Sequence, residues 1–445
     1  MDSQYTRHVE AMCARNPSLR NLHNFLSRPD TSSQEPRIIS IDFSSDQPIP
    51  ILRDVSSSCL IDELRKEPRG EEVHSMAKFS QILLIEDIDK KTIDELGYRL
   101  SVNPMFFAAH LHSGWRGFEA PPPKFCELPS RARKQHFATF YYHRSLVFPA
   151  IEKSDYKLVR QSNVPRKVIV FPPIQGQRLG LAQHCCSVLV VPRKDVGWLG
   201  IVLADPPIRK SYLSLRGSQQ VVIQTPSTTL FGGTEDPLPL DPLCQHTATI
   251  CDRSMLEELL YYWNTDFPRD FNTERFALKE LSLYPLRIIA AEWVNYLAVM
   301  CFSLREYDMQ RPSGQDLLQD LESINLSLSV ISSWPRRVAS STTSLDRVIL
   351  FIKQHSHIGG LSDDWESLLE DYEYLLSSLT QHGQLLQDTI PLVATHLQLA
   401  ENRRVLVETR SMSRLTVLAL VFVPLSYVSR LFSMSDDFTP GQPRF

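Results

Sequence analysis

Short apolar runs bounded by turn-forming residues recur along the first half of the chain. Arg37–Phe43 (RIISIDF) and Gln81–Glu86 (QILLIE) have the length and the branched, apolar composition of buried β-strands. Runs of the same kind lie at Phe137–Tyr142, Lys167–Phe171, Cys185–Val191, Trp198–Leu203 and Val221–Gln224. Segments whose apolar residues have helical spacing lie between some of these runs, and the clearest is Lys90–Leu100. Strands mixed with helices predict an α/β or α+β domain over residues 37–225.

The segments that flank this domain have different patterns. Residues 1–36 are polar, which predicts a poorly ordered N-terminus that could contain one short helix. Prolines recur from Asp205 onward, with Gly232 and Gly233 among them, so residues 226–250 are predicted to form a linker or long loop. Beyond residue 250 the spacing becomes helical, and residues 251–414 are predicted to form a helical stalk region. The separate helices predicted before residue 360 are Asp252–Asn264, Glu274–Tyr307, Leu317–Ser333 and Thr343–His355.

The last predicted helix is the longest, and it begins near Ser362. Asp363 is followed three residues later by Glu366, a spacing typical of a helix N-terminus. Apolar or small residues then recur in steps of three, four or seven, at Leu368, Tyr372, Leu375, Leu379, Leu386, Ile390, Val393, Leu397 and Ala400. Pro391 lies within this stripe and is expected at most to kink the helix. The pattern predicts one long helix, or a kinked pair, that continues into the segment behind it.

That segment, Leu415–Phe432 (LTVLALVFVPLSYVSRLF), is apolar on every side, and no charged residue occurs between Leu415 and Ser429. At about 1.5 Å per residue, roughly 19 residues extend about 28 Å, close to the hydrocarbon thickness of a bilayer. Four arginines precede the segment, at 403, 404, 410 and 414, and two aspartates follow it, at 436 and 437. Because basic residues stay on the cytosolic side, we predict one transmembrane helix at 415–434, a cytosolic body and an external tail at 435–445. The alternative is the buried core helix of a soluble protein.

Composition narrows the possible functions. The net charge is −4, which gives no general reason to expect a nucleic-acid partner. The 8 cysteines form no C-x-x-C pair and indicate a reduced, cytosolic body. The sequence contains no nucleophile elbow, P-loop, zinc-protease or dinucleotide-binding motif, so we do not expect an enzyme. Two pairs of alternate histidines, His110 with His112 and His355 with His357, lack a third ligand and are weak metal signals.

The C-terminal helix carries a specific pattern, L-T, then P-L, then an aromatic-x-Met ending. The matching residues are Leu415, Thr416, Pro424, Leu425, Phe432 and Met434. This pattern resembles the CorA-type divalent metal ion transporters, and the divergent fungal CorA-like group most closely. The N-terminal stretch Leu83–Leu111 and the later phrase LPSRARKQHFATFYY are also similar to that group. The resemblance implies an α/β/α cytosolic domain on a helical stalk, and pentamers around an ion path lined by the first of two spans.

The resemblance also implies site residues. Ser433, Met434 and Ser435 occupy the positions of the family's Gly-Met-Asn, which receives hydrated Mg²⁺. The pore face of the span would consist of Met412, Leu415, Ala419, Val423 and Ser426. Asp436 and Asp437 would attract cations at the mouth. Arg430 replaces a small residue just inside that mouth, and a ring of such cations would oppose cation entry. No tightly bound cofactor is expected, and Mg²⁺ is the candidate transported or regulatory ion.

The family pattern includes a second span, and only TPGQPRF follows Phe438. We therefore expect either a truncated product or a single-span relative. Two functions follow from these alternatives. The first is CorA-like transport of Mg²⁺ by a homo-oligomer, possible also in a degenerate form. The second is a non-conducting, single-span membrane-anchored interaction or regulatory protein that co-assembles with a two-span relative. A soluble α/β protein with a buried C-terminal helix is the third hypothesis.

Overall fold

A computed structural model gives the structure of the protein. It describes residues 3–28, 34–43, 50–64, 79–112, 128–132, 134–148, 158–171, 178–193, 197–208, 211–216, 219–224, 228–229, 254–265, 277–309, 317–356 and 363–434. The described residues form a mixed α+β fold with long C-terminal helices, which confirms that part of the predicted fold class. The chain makes two compact units. One consists of Met1–Phe302 with Arg336–His382, and the other of Ser303–Pro335 with Gly383–Phe445.

Eleven strands of the described residues belong to one sheet in the first unit. They are β1 (Arg37–Phe43), β2 (Ile51–Val55), β3 (Phe79–Glu86), β4 (Phe137–Phe148), β5 (Leu158–Arg160), β6 (Lys167–Val170), β7 (Arg178–Arg193), β8 (Gly197–Ala204), β9 (Ser211–Arg216), β10 (Gln219–Gln224) and β11 (Thr228–Thr229). The described pairings are antiparallel except that of β3 with β8, which is parallel. The sheet is therefore mixed.

The helices fall into an N-terminal group and a C-terminal group. The first contains α1 (Gln4–Cys13), a 3₁₀ helix (Pro17–Leu19), α2 (Arg20–Leu26), α3 (Leu60–Leu64), α4 (Lys90–Arg99), α5 (Pro104–Leu111) and α6 (Pro129–Ala132). The second contains α7 (Met255–Thr265), α8 (Leu278–Met309), α9 (Leu317–Ser356) and α10 (Asp363–Met434).

The long strand β7 lies where the sheet divides. Along one edge it pairs with β4 at residues 178–189. Along the other edge it pairs first with β6, at residues 180–182, and then with β8, at residues 186–193. Residues 183–185 lie between these two partners. The sheet thus forks at β7 into one branch through β6, β5, β9 and β10 and another through β8, β3, β1 and β2.

Helices cover both faces of the sheet. On one face, side chains of β3 and β8 share a core with the N-terminal helices. The members of this core include Leu83, Ile85, Leu199, Ile201, Val9, Leu22, Ile93 and Phe106. On the other face, Leu281 of α8 packs on Gly200. A Cβ atom added to Gly200 would lie only 3.2 Å from a methyl carbon of Leu281. Trp263 of α7 packs edge to face on Phe43, with ring centroids 5.8 Å apart. The sheet of the first unit is therefore the middle of three layers.

Short polar residues begin the N-terminal helices. The Ser3 side chain accepts a hydrogen bond from the Thr6 N–H of α1, and the Asp89 side chain accepts one from the Thr92 N–H of α4. The Asn103 side chain begins α5 in the same way, with Pro104 as its first residue. Each side chain satisfies a backbone donor that has no partner inside its helix, which stabilises such a helix by about 1 kcal/mol.

The predicted strands all occur in the structure. β1 has the predicted bounds, while β4 and β7 extend beyond theirs by six residues or more. The strands β2, β5, β9 and β11 were not predicted. β2 consists mostly of exposed residues, and β5 has three residues, so neither carries a readable pattern. Of the predicted linker at 226–250, only Thr228–Thr229 is described, and it forms β11.

Two predictions about helices were wrong. Residues 1–36 were expected to be poorly ordered, with room for one short helix, but the structure has two α-helices there, and α1 and α2 bury Val9 and Leu22 completely in the core. These helices are short and mostly polar, so their few apolar residues gave little signal. The separate helices predicted at Leu317–Ser333 and Thr343–His355 form the single helix α9, which continues through Pro335. Within it, Trp334 and Ser341 are buried, and tertiary contacts stabilise a stretch with weak helix propensity.

Candidate functional site

The apolar end of α10 is exposed along its whole length. From residue 401 to residue 433 every side chain is exposed, including twelve large apolar ones between Leu415 and Phe432. A second helix, Leu278–Phe302 of α8, is also long and apolar enough to cross a membrane, but half of its most apolar stretch is buried inside the protein. None of the corresponding stretch of α10 is buried. The structure therefore does not support the hypothesis of a C-terminal helix buried in a soluble core.

The residues expected to form a pore face lie on one side of α10. Met412, Leu415, Ala419, Val423 and Ser426 follow each other at steps of three and four, which keeps them aligned over about 21 Å of helix. All five side chains are exposed. The structure thus brings them together as a continuous stripe that is available to a pore, a lipid or another helix.

The expected mouth of the path lies at the end of the described chain. Ser433 is exposed and belongs to α10, and Met434 is its last residue. Ser435, Asp436 and Asp437 lie outside the described residues.

Polar side chains inside the apolar stretch satisfy their donors within the helix. The Thr416 hydroxyl donates to the carbonyl oxygen of Met412, and the Ser426 hydroxyl donates to that of Val423, both at 2.9 Å. Local bonds of this kind lower the cost of placing a hydroxyl in hydrocarbon. Arg430 lies four residues from the end of α10, about 6 Å along the axis, so its side chain is long enough to reach an interface.

A second apolar stripe precedes the apolar end on the same helix. Leu385, Leu392, Leu399 and Leu406 recur every seven residues, and each side chain is at least half exposed. We call these four residues the exposed leucine stripe. The neighbouring stripe of Leu386, Val393 and Ala400, by contrast, is buried. Sequence reasoning found the buried stripe and missed the exposed one, because two heptad stripes one residue apart differ only in which of them the fold covers.

Two buried ionic clusters fix the sheet of the first unit. At the fork, the carboxylate of Asp205 accepts from Arg166 Nε at 2.9 Å and lies 3.0 Å from the Arg160 guanidinium. It also accepts a 2.7 Å hydrogen bond from the backbone N–H of Cys185, within the stretch of β7 between β6 and β8. Burial would raise the pKa of Asp205, but the two guanidiniums outweigh burial and hold that pKa below its ordinary value.

The cluster also holds a helix end. Arg166 donates to the carbonyl oxygens of His110 and His112, at the C-terminus of α5. The His110 ring is buried and contacts the Ser187 hydroxyl at 3.0 Å, and burial lowers the pKa of His110 to about 3. His110, one member of this weak metal signal, therefore has a structural setting. Among the described residues, no group of three possible metal ligands occurs. His355 bonds its own helix through Phe351 O, and His357 lies outside the described residues.

The second cluster joins the sheet to the helices that cover it. Arg144 of β4 contacts Glu258 of α7 at 3.0 Å and Glu292 of α8 at 2.9 Å. Burial and the neighbouring Glu258 raise the pKa of Glu292 to about 7, although Arg144 opposes the shift. Sequence reasoning missed both clusters, because their members are remote along the chain and form no motif. Because the charged groups of both clusters are buried and paired, we interpret the clusters as contacts that hold the sheet and its covering helices together.

No family model matches this chain, and no curated protein matches it either. Function therefore has to be argued from the residues themselves.

Proposed function

We propose that the chain is a membrane-anchored protein whose helix α10 crosses a bilayer at residues 415–434, with the body on the cytosolic side. The observation that carries this proposal is the complete exposure of the apolar stretch. Twelve large apolar side chains there are each at least 46% exposed. At roughly 1 kcal/mol for each half-exposed side chain, hydrocarbon would stabilise the helix by on the order of 10 kcal/mol relative to water. Monomeric soluble proteins rarely leave such a patch uncovered.

The orientation rests on the charges beside the apolar stretch. Arg403, Arg404, Arg410 and Arg414 precede it on exposed turns of α10. Arg404 pairs with Glu408 at 2.8 Å, and such an exposed pair stabilises little, so the arginines remain largely hydrated. Short basic segments are retained on the cytosolic side during insertion. The proposal therefore places residues before 415 inside and the end of the chain outside.

Alkaline carbonate extraction of the full chain from cell membranes tests the anchoring. We expect the protein to stay in the pellet. A double variant, Leu420→Asp with Phe422→Asp, puts two charges at the centre of the stretch and should move the protein to the supernatant. The matched control, Tyr374→Asp with Leu385→Asp, changes two equally exposed apolar positions elsewhere on α10 and should stay in the pellet. Release of the unaltered chain by carbonate would refute the anchoring.

We propose further that the membrane protein is a CorA-like transporter of Mg²⁺. The support is the resemblance over the C-terminal helix, together with the single helix that joins residues 363–434. The expected pore face, from Met412 to Ser426, is continuous and exposed, as an ion path between several copies would require. In this proposal Ser433, Met434 and Ser435 receive the hydrated ion through its water shell.

Arg430 offers a direct test of conduction. It follows Ser426 by one helical turn and so lies on the same side of α10 as the expected pore face. We expect Mg²⁺ flux into vesicles to rise at least tenfold in Arg430→Gln, because a ring of cations is removed. The matched control is Arg403→Gln, which removes an exposed arginine about three helical turns before Leu415 and should not change flux. Absence of flux from both the parent and Arg430→Gln would refute transport by this chain.

The exposed leucine stripe favours a second candidate function, a non-conducting anchored protein that binds a partner helix. Four leucines at heptad spacing present a surface that a parallel helix with the same repeat would cover. Anchoring would hold such helices parallel and at a common depth. Recovery of a two-span membrane protein by affinity purification, with no flux from the purified chain alone, would support this candidate over transport by a homo-oligomer.

A further inference from the structure

A cavity of about 170 Å³ lies in the first unit between β4 and α9. The lining includes Phe137, Phe140 and Tyr141 of β4, and Val348 and Phe351 of α9. Phe140 and Phe351 pack edge to face, with ring centroids 5.4 Å apart. We call this space the β4–α9 cavity. An apolar ligand in the cavity would make favourable contacts with these aromatic side chains. The volume of the cavity is close to that of an engineered cavity that binds benzene.

Two polar groups on α9 give the cavity a polar end. Arg347 and Gln354 line it and are seven residues apart, so they lie on the same side of the helix. Neither side chain makes a hydrogen bond or an ion pair with any residue that the structure describes. Two other polar groups in the lining already donate to backbone, since Tyr141 donates to Ala109 O and Ser344 donates to Ser340 O. The Arg347 guanidinium and the Gln354 amide are two donors available to a ligand.

We propose that the β4–α9 cavity binds a small amphipathic carboxylate, with a body the size of one aromatic ring. The ring lies in the cavity against the side chains of Phe140 and Phe351, and the carboxylate pairs with Arg347. A guanidinium presents two parallel N–H donors that match the two oxygens of a carboxylate. The Gln354 amide donates to one of the same oxygens. This site belongs to the body of the protein, so it does not depend on the proposed membrane span or on ion transport.

Binding of 3-phenylpropionate to the full chain in lipid nanodiscs tests the site, with empty nanodiscs as the blank. For about 11 non-hydrogen atoms and an exposed arginine, we expect a dissociation constant between about 0.1 and 1 mM. The neutral analogue 3-phenylpropanol should bind at least fivefold more weakly. Ala138→Ile, which fills the cavity from β4, should abolish binding of both compounds.

Substitution of the arginine separates charge recognition from simple partitioning into an apolar space. Arg347→Leu should weaken 3-phenylpropionate at least fivefold and leave 3-phenylpropanol within twofold. Arg336→Leu removes an exposed arginine of the same helix that does not line the cavity, so it should change neither compound. Unchanged thermal melting of each variant shows that the fold is retained. Equal affinities for the two compounds, or an Arg347→Leu variant that binds the acid like the parent, would overturn the proposal.

Discussion

The ionic cluster at the sheet fork gives the sharpest prediction about stability. In Asp205→Asn, an amide NH₂ replaces one carboxylate oxygen, and every neighbour of that group is a donor. One oxygen, Oδ2, contacts Arg166 Nε at 2.9 Å, the Arg160 guanidinium at 3.0 Å and the Cys185 N–H at 2.7 Å. The other oxygen accepts from Arg166 at 3.1 Å, so the amide NH₂ faces a guanidinium donor in either orientation. Two guanidiniums that are at most 1% exposed then lose the carboxylate that both contact.

Removal of one partner from a buried ion pair costs about 3–5 kcal/mol, because the remaining charge stays buried. The total free energy of unfolding of a folded domain is about 5–15 kcal/mol. We therefore expect Asp205→Asn to lower the free energy of unfolding of the first unit by at least 3 kcal/mol. Urea denaturation of the full chain in mild detergent, followed by tryptophan fluorescence, measures this change. Trp198, Trp263 and Trp293 are buried in that unit and report on its packing.

A matched control separates the cluster from the general effect of an Asp→Asn change. The Asp346 side chain is exposed on α9 and makes no hydrogen bond or ion pair with the residues that the structure describes, so Asp346→Asn should shift the free energy of unfolding by less than about 0.5 kcal/mol. A loss below 1 kcal/mol in Asp205→Asn would refute the reasoning, because it would mean that water reaches the guanidiniums or that the sheet does not divide as described.

Further predictions concern pH and self-association. Burial lowers the pKa of His110 to about 3 and that of His143 to about 4, so both are neutral when folded and bind protons on unfolding below about pH 6.5. Stability should fall by on the order of 3 kcal/mol in urea titrations between pH 7 and pH 5, although the raised pKa of Glu292, about 7, opposes part of this loss. His143→Gln should make stability depend less steeply on pH. A urea midpoint of the parent chain that is the same at pH 5 as at pH 7 would contradict this prediction. Leu399→Asp should abolish chemical cross-linking between copies of the chain in membranes, whereas Tyr374→Asp should leave it intact; cross-linking that survives Leu399→Asp would exclude the leucine stripe as the interface.

Elements with a dense apolar pattern were predictable from the sequence. β1, β3 and β8 are buried on both faces, so their apolar runs are continuous and readable. α10 was predictable because its apolar positions keep helical spacing from Leu368 to Ala400. The joined helix α9 was not, because Trp334 and Ser341 favour a helix through contacts with other parts of the fold. The Ser341 hydroxyl, for instance, bonds the Tyr296 hydroxyl of α8, 45 residues earlier.

The candidate sites were predictable only where they are local in sequence. The apolar stretch at 415–432 was visible from composition, but its exposure depends on which surfaces the rest of the chain covers. The fork cluster brings together Arg160, Arg166 and Asp205 from three separate segments, and no spacing in the sequence signals that meeting. The β4–α9 cavity likewise depends on how a helix lies beside a strand some 200 residues earlier. Periodicity predicts the faces of an element, and tertiary packing decides what they meet.

The central claim is that hydrocarbon surrounds the apolar end of α10. A ketone-bearing amino acid at position 421, coupled to a nitroxide, places a probe at the middle of the stretch without using the native cysteines. In lipid vesicles that contain the full chain, electron paramagnetic resonance compares collisions of the probe with oxygen and with a water-soluble nickel chelate. If α10 spans the bilayer, the probe should collide frequently with oxygen, which concentrates in the bilayer centre, and rarely with the chelate. Collisions dominated by the chelate at position 421 would contradict it.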